Sequence, residues 1–407
     1  MYPPYDILTL VIDQLGSEHC YDDLKACSQA CRMLRHPCCI HIFSTVSIDK
    51  NAPRFAALLK ENSRISRYIQ ELTYRPYITS EDLADAFLLL NNIRTLHLYG
   101  QDCNWRLLPP HIQHALTHLF SSPSMDRFYV HQVDEMPATL LSSCSTLKHL
   151  RLSECRVYPP ETSDNILGAP CQLISLDLSN DYISGSDTVM EELPKMKRAN
   201  GLPILDLSGL RSLIVNIYDD WQEIYFGNIL SLTPKLEYLQ CKGIYHHAFA
   251  IFSLPTFALL VYYDMTPDSW VEKLRIVLPT LRSLKLTWDA YGTPTNLAFL
   301  GLIDNLETLT SQPNCINELF LILLTNRSKN DLMQDLDWEG LDQVLADRSS
   351  FPRLEKLTIQ LWSRARRGSK NLKADIQAKF EETKTTKFSR LFLSTNDYLD
   401  FKFEVHD

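Results

Sequence analysis

One spacing recurs along this chain, apolar-x-x-apolar-x-apolar. The clear copies are Ile93-Leu96-Leu98, Leu147-Leu150-Leu152, Leu173-Leu176-Leu178, Leu236-Leu239-Cys241, Leu281-Leu284-Leu286 and Leu354-Leu357-Ile359. Looser copies start at Ile69, Met125, Leu210, Phe257, Ile316 and Phe388, and FSTVSI from Phe43 has the same spacing. Between Phe43 and Phe388 the mean period is roughly 29 residues, within the range of stacked repeats. The last two apolar positions of each copy are two apart and so point to one face of a strand. A single short strand cannot bury that face alone, so the copies must stack on one another.

The chain has 407 residues, too many for one compact core and suited to two domains or an elongated array. Segments between strands carry helical spacing, as in residues 111–122 and 268–278. The longer gaps Ser179–Leu210 and Leu321–Leu354 have room for an extra helix or loop. The expected fold class is α/β, an irregular solenoid with a parallel sheet on its concave face and helices and loops on its convex face. This pattern resembles the leucine-rich repeat family from about residue 49 to 407. That family often places Asn or Cys three residues after the last strand apolar position. Here only Cys155 and Asn396 do so, against Gln101, Asp181, Asp289, Leu324 and Trp362 elsewhere.

Residues 1–48 lack the repeat until their end. Prolines followed by YDILTLVIDQLG read as a helix with stripe Ile7, Leu8, Val11, Ile12 and Leu15, and with Gly16 as its stop. A second helix is expected from Asp22 or Asp23 to Arg35, with Leu24, Cys27, Ala30, Cys31 and Leu34 on one face, broken by Pro37. A third short helix then leads into a strand. Pro4-x-Asp6-Ile7-Leu8, Val11-Ile12-x-x-Leu15, Leu24-Lys25-x-Cys27-Ser28-x-x-Cys31-Arg32 and Ile42-Phe43-x-x-Val46 resemble the F-box of large fungal F-box-like families. The tryptophan usual there after Cys-Arg is replaced by Met33-Leu34-Arg35-His36. The resemblance implies a three-helix module that docks a Skp-type adaptor of a cullin–RING ubiquitin ligase through Pro4, Ile7, Leu8, Val11, Ile12, Leu15 and Leu24. Some of these must instead pack the module internally. The same helices could also cap the end of the repeat array.

Composition narrows the alternatives. A formal charge of -9 gives no overall attraction to nucleic acid or anionic membrane. Eleven cysteines cannot all pair, and the acidic start reads as no secretory signal, so cytoplasm and/or nucleus is expected. The apolar run Ala248–Tyr263 is short for a membrane span and contains Pro255. Cys27-x3-Cys31 and His36-x4-His41 have zinc-like spacing, but cysteine on an apolar helix face is read as a small hydrophobe. His111, His114 and His118 lack the glutamate that a zinc protease helix needs. No nucleophile elbow, phosphate loop or dinucleotide fingerprint is present. Neither enzymatic activity, metal nor cofactor is expected. RARRGSK, with Arg364, Arg366, Arg367 and Lys370, is read as a solvated basic loop.

Residues beside the second apolar position of each strand point away from the core. They give His97, Tyr99, Arg127, Tyr129, His131, His149 and Arg151, the composition of a protein-binding hot spot. Later strands add Leu259, Val261, Tyr263, Phe320 and Ile322. The function expected is substrate recognition in a Skp–cullin–F-box ligase, with an unknown protein as target. The rival is a leucine-rich repeat scaffold with no ligase role.

Overall fold

The computed structural model describes residues 5–159, 170–179, 189–198, 200–217, 220–244, 274–289, 302–304, 306–309, 313–325, 337–347, 349–363, 386, 388–394 and 400–406. Pro4, the run Ala248–Tyr263 with its copy from Phe257, Asp181, Asn396, RARRGSK and most of the helix expected at 268–278 lie outside these residues. The chain divides into two compact units, Met1–Leu173 with Asn180–Asp206, and Ile174–Ser179 with Leu207–Asp407.

The first unit starts with three helices, α1 (Tyr5–Ser17), α2 (Tyr21–Ala30) and α3 (Arg32–Ile42). Strands β1 (Thr45–Ile48), β2 (Glu71–Tyr74), β3 (Thr95–Asn104), β4 (Arg127–Asp134) and β6 (His149–Ser153) follow in parallel, each beside the next. Helices α4 (Ala52–Glu61), α5 (Glu81–Leu88), α6 (Pro110–Phe120) and α7 (Ala138–Ser143) return the chain and lie against one another in sequence. Two short parallel pairs complete it, β5 (Met136–Pro137) with β7 (Val157–Tyr158), and β8 (Cys171–Gln172) with β10 (Leu205–Asp206). The gap after Ser179 holds a helical turn, α8 (Val189–Glu192).

In-register pairing stacks the repeat. Leu72, Leu96, Phe128 and Leu150 form one buried row, and Tyr74, Leu98, Val130 and Leu152 the next. Helix faces close over them. Tyr74 meets Phe87 of α5 edge-on at 5.1 Å, and Phe120 of α6 meets Phe128 at 4.2 Å. The buried Tyr74 hydroxyl donates to the Ile78 carbonyl, so its polar tip is satisfied.

The second unit repeats the arrangement. Strands β9 (Ser175–Leu178), β11 (Ser212–Asn216), β12 (Tyr238–Ile244), β13 (Ser283–Asp289), β14 (Glu318–Thr325), β15 (Lys356–Ser363) and β16 (Asp400–His406) are parallel neighbours. Leu176, Leu213, Leu239, Leu284, Leu319 and Leu357 form a buried row. Helices α9 (Asp220–Ser231) and α10 (Trp338–Ala346) belong to this unit, and Trp338 packs edge-on to Phe388 at 5.5 Å.

A backbone device joins successive repeats. The carbonyl two residues before a strand's second apolar position, or its equivalent, accepts two consecutive amides from the next repeat. Ser44 takes Gln70 and Glu71, Gln70 takes Arg94 and Thr95, Arg94 takes Asp126 and Arg127, and Asp126 takes Lys148 and His149. In the second unit Ile174, Arg211, Glu237, Arg282 and Asn317 do the same for the repeat that follows. Side chains add to it. Ser124 and Thr146 donate to the carbonyls of Ile93 and Met125, and the Cys171 thiol donates to Leu147.

Three sequence expectations are corrected. FSRLFL forms helix α11 (Ser389–Ser394), not the last strand, which is β16. The spacing of Phe388 and Leu391 suits a helix face equally, and buried Asp342 accepts the Arg390 and Leu391 amides at 2.9 Å each, capping the helix start. The second N-terminal helix breaks at Cys31, which is extended (φ -145°, ψ 127°), so α2 ends at Ala30 and Pro37 lies buried inside α3. Gly16 does not stop α1. The chain turns at His19, with φ 58°, after Ser17.

Two substitutions test these constraints. A β-carbon on Gly100 would lie 2.1 Å from the Gln132 carbonyl oxygen of the adjacent strand. Gly100→Ala is expected to cost about 2–4 kcal/mol. Asp342→Ala strips two amides of their charged acceptor and is expected to cost about 2–3 kcal/mol, with Asp342→Asn costing less. Denaturant unfolding measures both, and an unchanged midpoint would refute the packing described.

Candidate functional site

Two surfaces of the first unit gather the residues singled out from sequence. The first is the N-terminal helical group. Its core is Ile12, Leu24 and Cys38, with Leu15, Cys27, Leu34 and Ile42 packed against them. Ile12 is 1% exposed and Leu24 0%, so both serve packing. Leu8 and Leu15 are half-buried. Ile7 is 52% exposed, Val11 50% and Leu10, which the predicted stripe omitted, 68%. These three sit at i, i+3, i+4 and form one outward apolar strip on α1. Leu10 was missed because the five-residue stripe already looked complete without it.

Gly16 sets how α3 meets α1. A β-carbon there would lie 2.3 Å from the His41 ring, which crosses it to place Nε2 2.9 Å from Asp13 Oδ1. At the end of the stretch Met33-Leu34-Arg35-His36, His36 contacts the Tyr68 hydroxyl at 2.9 Å, with ring centroids 5.5 Å apart, tying α3 to the segment before β2. Of the expected cysteine face, Cys27 packs inward, whereas Cys31 is the half-buried hinge and Ala30 is exposed. Cys38 is the fully buried thiol, held above the ordinary range first by burial.

The second surface is the outward face of β3, β4 and β6. Pairing sets Arg127 opposite His149, Tyr129 between His97 and Arg151, and His131 beside Tyr99. All seven predicted residues therefore share one face. His97 stacks on Tyr129 at 4.7 Å and is parallel to Tyr99 at 6.3 Å, and Tyr99 meets His131 edge-on at 5.9 Å. Arg75, just past β2, lies over the Tyr99 ring at 5.5 Å. Glu71 Oε1 is 3.3 Å from His97 Nε2, and Asp126 is 3.7 Å from Arg127. Glu71 and Arg75 were not anticipated. Applying the same rule to IQELTY would have found Glu71.

Burial depresses both His97 and His149. Arg127 and Lys148 depress His149 further against Asp126, whereas Glu71 opposes the shift at His97. The field on this face is thus set by arginine as well as by burial.

In the second unit Phe320 and Ile322 are half-buried on the outward face, with the Lys356 ammonium 5.1 Å from the Phe320 ring. Pairing flanks Phe320 with Lys285 and Thr358. Leu259, Val261 and Tyr263 lie outside the described residues. Of the three histidines on α6, His111 is half-buried beside the Thr79 carbonyl at 2.8 Å, and His114 and His118 are exposed. Among the described residues no group of three His, Cys, Asp or Glu is placed to hold a metal ion, and no helix is long and apolar enough to cross a membrane.

No family model matches the chain, and no curated protein matches it. Among solved structures, it is similar to a Bacteroides fragilis protein known from a crystal structure, with a TM-score of 0.34 and 11% identity, over 87% of this chain and 81% of that one.

Acidification probes the second surface. A histidine depressed in the folded chain protonates first in the unfolded one, so its stabilising contribution is complete above the ordinary value near 6.5 and is lost as pH falls from there through the lower folded-state value. NMR titration is expected to place His149 below the ordinary range, and Arg127→Ala to raise it. A His149 midpoint that Arg127→Ala leaves in place would contradict this electrostatic account.

Proposed function

We propose that this chain is the substrate-recognition subunit of a Skp–cullin–F-box ubiquitin ligase. On this reading residues 1–48 are an F-box-like module and 49–407 are divergent leucine-rich repeats, acting in cytoplasm or nucleus. The observation that carries it is the strip of Ile7, Leu10 and Val11 left exposed on α1 while Ile12 and Leu24 pack inward. Exposed apolar side chains at this spacing suit a helix laid into an apolar groove of a partner. Of the expected docking set, Ile12 and Leu24 pack the module itself, and Ile7 and Val11, joined by Leu10, are the α1 side chains this reading offers to the adaptor. The repeats would hold a target protein on the His97–Arg151 face, and the contribution to ubiquitin transfer would be proximity alone.

The test is co-purification of the full chain with a Skp-type adaptor. Capture is expected, and Ile7→Asp with Val11→Asp should weaken it at least about tenfold while leaving the thermal midpoint nearly unchanged, because both sites are exposed. Failure of the folded wild-type chain to capture the adaptor would remove the ligase role and leave the repeat scaffold as the reading.

A further inference from the structure

In the second unit β16 is an edge strand. It pairs with β15 over seven residues, from Lys356↔Asp400 to Trp362↔His406, with no shift of register. Among the described residues no strand pairs with its other edge. Such an edge offers a row of backbone amides and carbonyls to a further strand, and proteins blunt it with proline, a bulge or a very short strand. The β16 sequence DFKFEVH has no proline, its ladder with β15 has no bulge, and it is of ordinary strand length. Register sets Phe401 and Phe403 beside Leu357 and Ile359, both fully buried, so the apolar rows of the sheet run out to this edge.

The order of residues in β16 selects the strand that fits it. Two copies of one strand meeting edge to edge about a two-fold axis run antiparallel, and the axis stands perpendicular to the sheet, so each face stays on its own side. With a side-chain period of two, inward positions then meet inward ones and outward positions meet outward ones. Centred on Phe403, this pairing puts Asp400 opposite His406, Phe401 opposite Val405, Lys402 opposite Glu404, and Phe403 opposite itself. Each apolar position meets an apolar one, Lys402 meets its opposite charge, and Asp400 meets a residue able to donate to it. Moving the centre by one residue destroys the match. Centred on Lys402, the strands oppose two lysines and set Asp400 against Glu404; centred on Glu404, they oppose two glutamates and set Lys402 against His406. Like charges directly opposite are destabilising, so charge picks one register.

We propose that β16 is a self-association edge, to which a second copy of this chain adds its own β16, antiparallel and centred on Phe403. Backbone hydrogen bonds between the two edges supply the attraction, and the two symmetric Lys402–Glu404 pairs fix the register. Seven residues a side is well below the roughly 20–30 of a standard interface, so the dimer is a weak one that forms with concentration. By symmetry, any substitution in β16 acts at two places in the dimer.

The experiment is sedimentation velocity on the full chain over about 1–300 μM, a range that spans weak association. The wild-type chain should pass from monomer to dimer as concentration rises. Lys402→Glu opposes two glutamates at both symmetric positions, and Glu404→Lys opposes two lysines. Their register neighbours on β15, Thr358 and Gln360, are uncharged, so neither change sets like charges against β15. Each variant alone should associate at least about tenfold more weakly than wild type at an unchanged thermal midpoint. An equimolar mixture of the two variants opposes glutamate to lysine at both positions and should recover the wild-type dimer, which a variant that merely misfolds cannot do. A wild-type chain that stays monomeric throughout, a folded single variant that dimerises as wild type does, or a mixture that stays monomeric overturns the proposal. Adaptor capture depends on α1 and is assayed separately, so its failure leaves this result unaltered.

Discussion

Each strand turns two apolar side chains inward, and neither unit holds together unless those side chains lie over their counterparts in the next strand. The shared carbonyl at each strand start enforces this alignment. It accepts two amides in a row, so a one-residue slip would break both bonds and turn the buried row outward. The device appears at each junction among β1, β2, β3, β4 and β6, and at each junction from β9 through β11 to β15. Because it is made of backbone, it requires no particular side chain. Gln132, within β4, and Glu154, just past β6, take φ 56° and 51°, and the Gln132 amide donates to the Glu154 carboxylate at 2.8 Å. Cys155, three residues after Leu152, lies buried with its thiol donating to the Ser153 carbonyl.

Register fixed by backbone leaves the outward positions free to vary, and the two units use that freedom differently. On β3, β4 and β6 they carry rings and arginines, stacked across strands at 4.7 Å. On β13, β14 and β15 one row reads Lys285, Phe320 and Thr358, and the next Thr287, Ile322 and Gln360. Apolar residues there are diluted among polar ones, which lowers the cost of their exposure. The first face concentrates charge and aromatic area together, and Gly100 contributes by letting β4 approach closely where β3 bulges between Tyr99 and Cys103.

The sheet was legible because a period-two signal repeated many times averages out local exceptions. Eleven of the copies named above are placed by their spacing alone on strands β1, β2, β3, β4, β6, β9, β11, β12, β13, β14 and β15. Spacing failed at FSRLFL because apolar residues three apart serve a helix too, and the deciding group, Asp342, lies 48 residues from Arg390. The same limit applies at Pro37. Proline argues for a helix end, but the chain had already broken at Cys31, and tertiary packing keeps Pro37 buried in the next helix. The seven residues of the outward face were readable by alternation alone. Their contacts were not, because stacking and ion pairing depend on register between strands far apart in sequence.

The N-terminal helices show how one helix can serve two demands. A three-helix group of about 40 residues has too little apolar area to be firmly stable alone. It gains from the Tyr68 hydroxyl and ring against His36, and from His41 reaching over Gly16 to Asp13. These contacts involve α1 through Asp13 and Gly16, and they fix its rotation. Ile12 then faces Leu24 and Cys38, which turns Ile7, Leu10 and Val11 outward. If those three contributed to the core instead, no apolar strip would remain on α1 for a partner. Polar side chains in their place would cost the module little stability, because Ile12, Leu15 and Leu24 already supply its core. Folding thus does not require the strip to be apolar, whereas the proposed docking to a partner does.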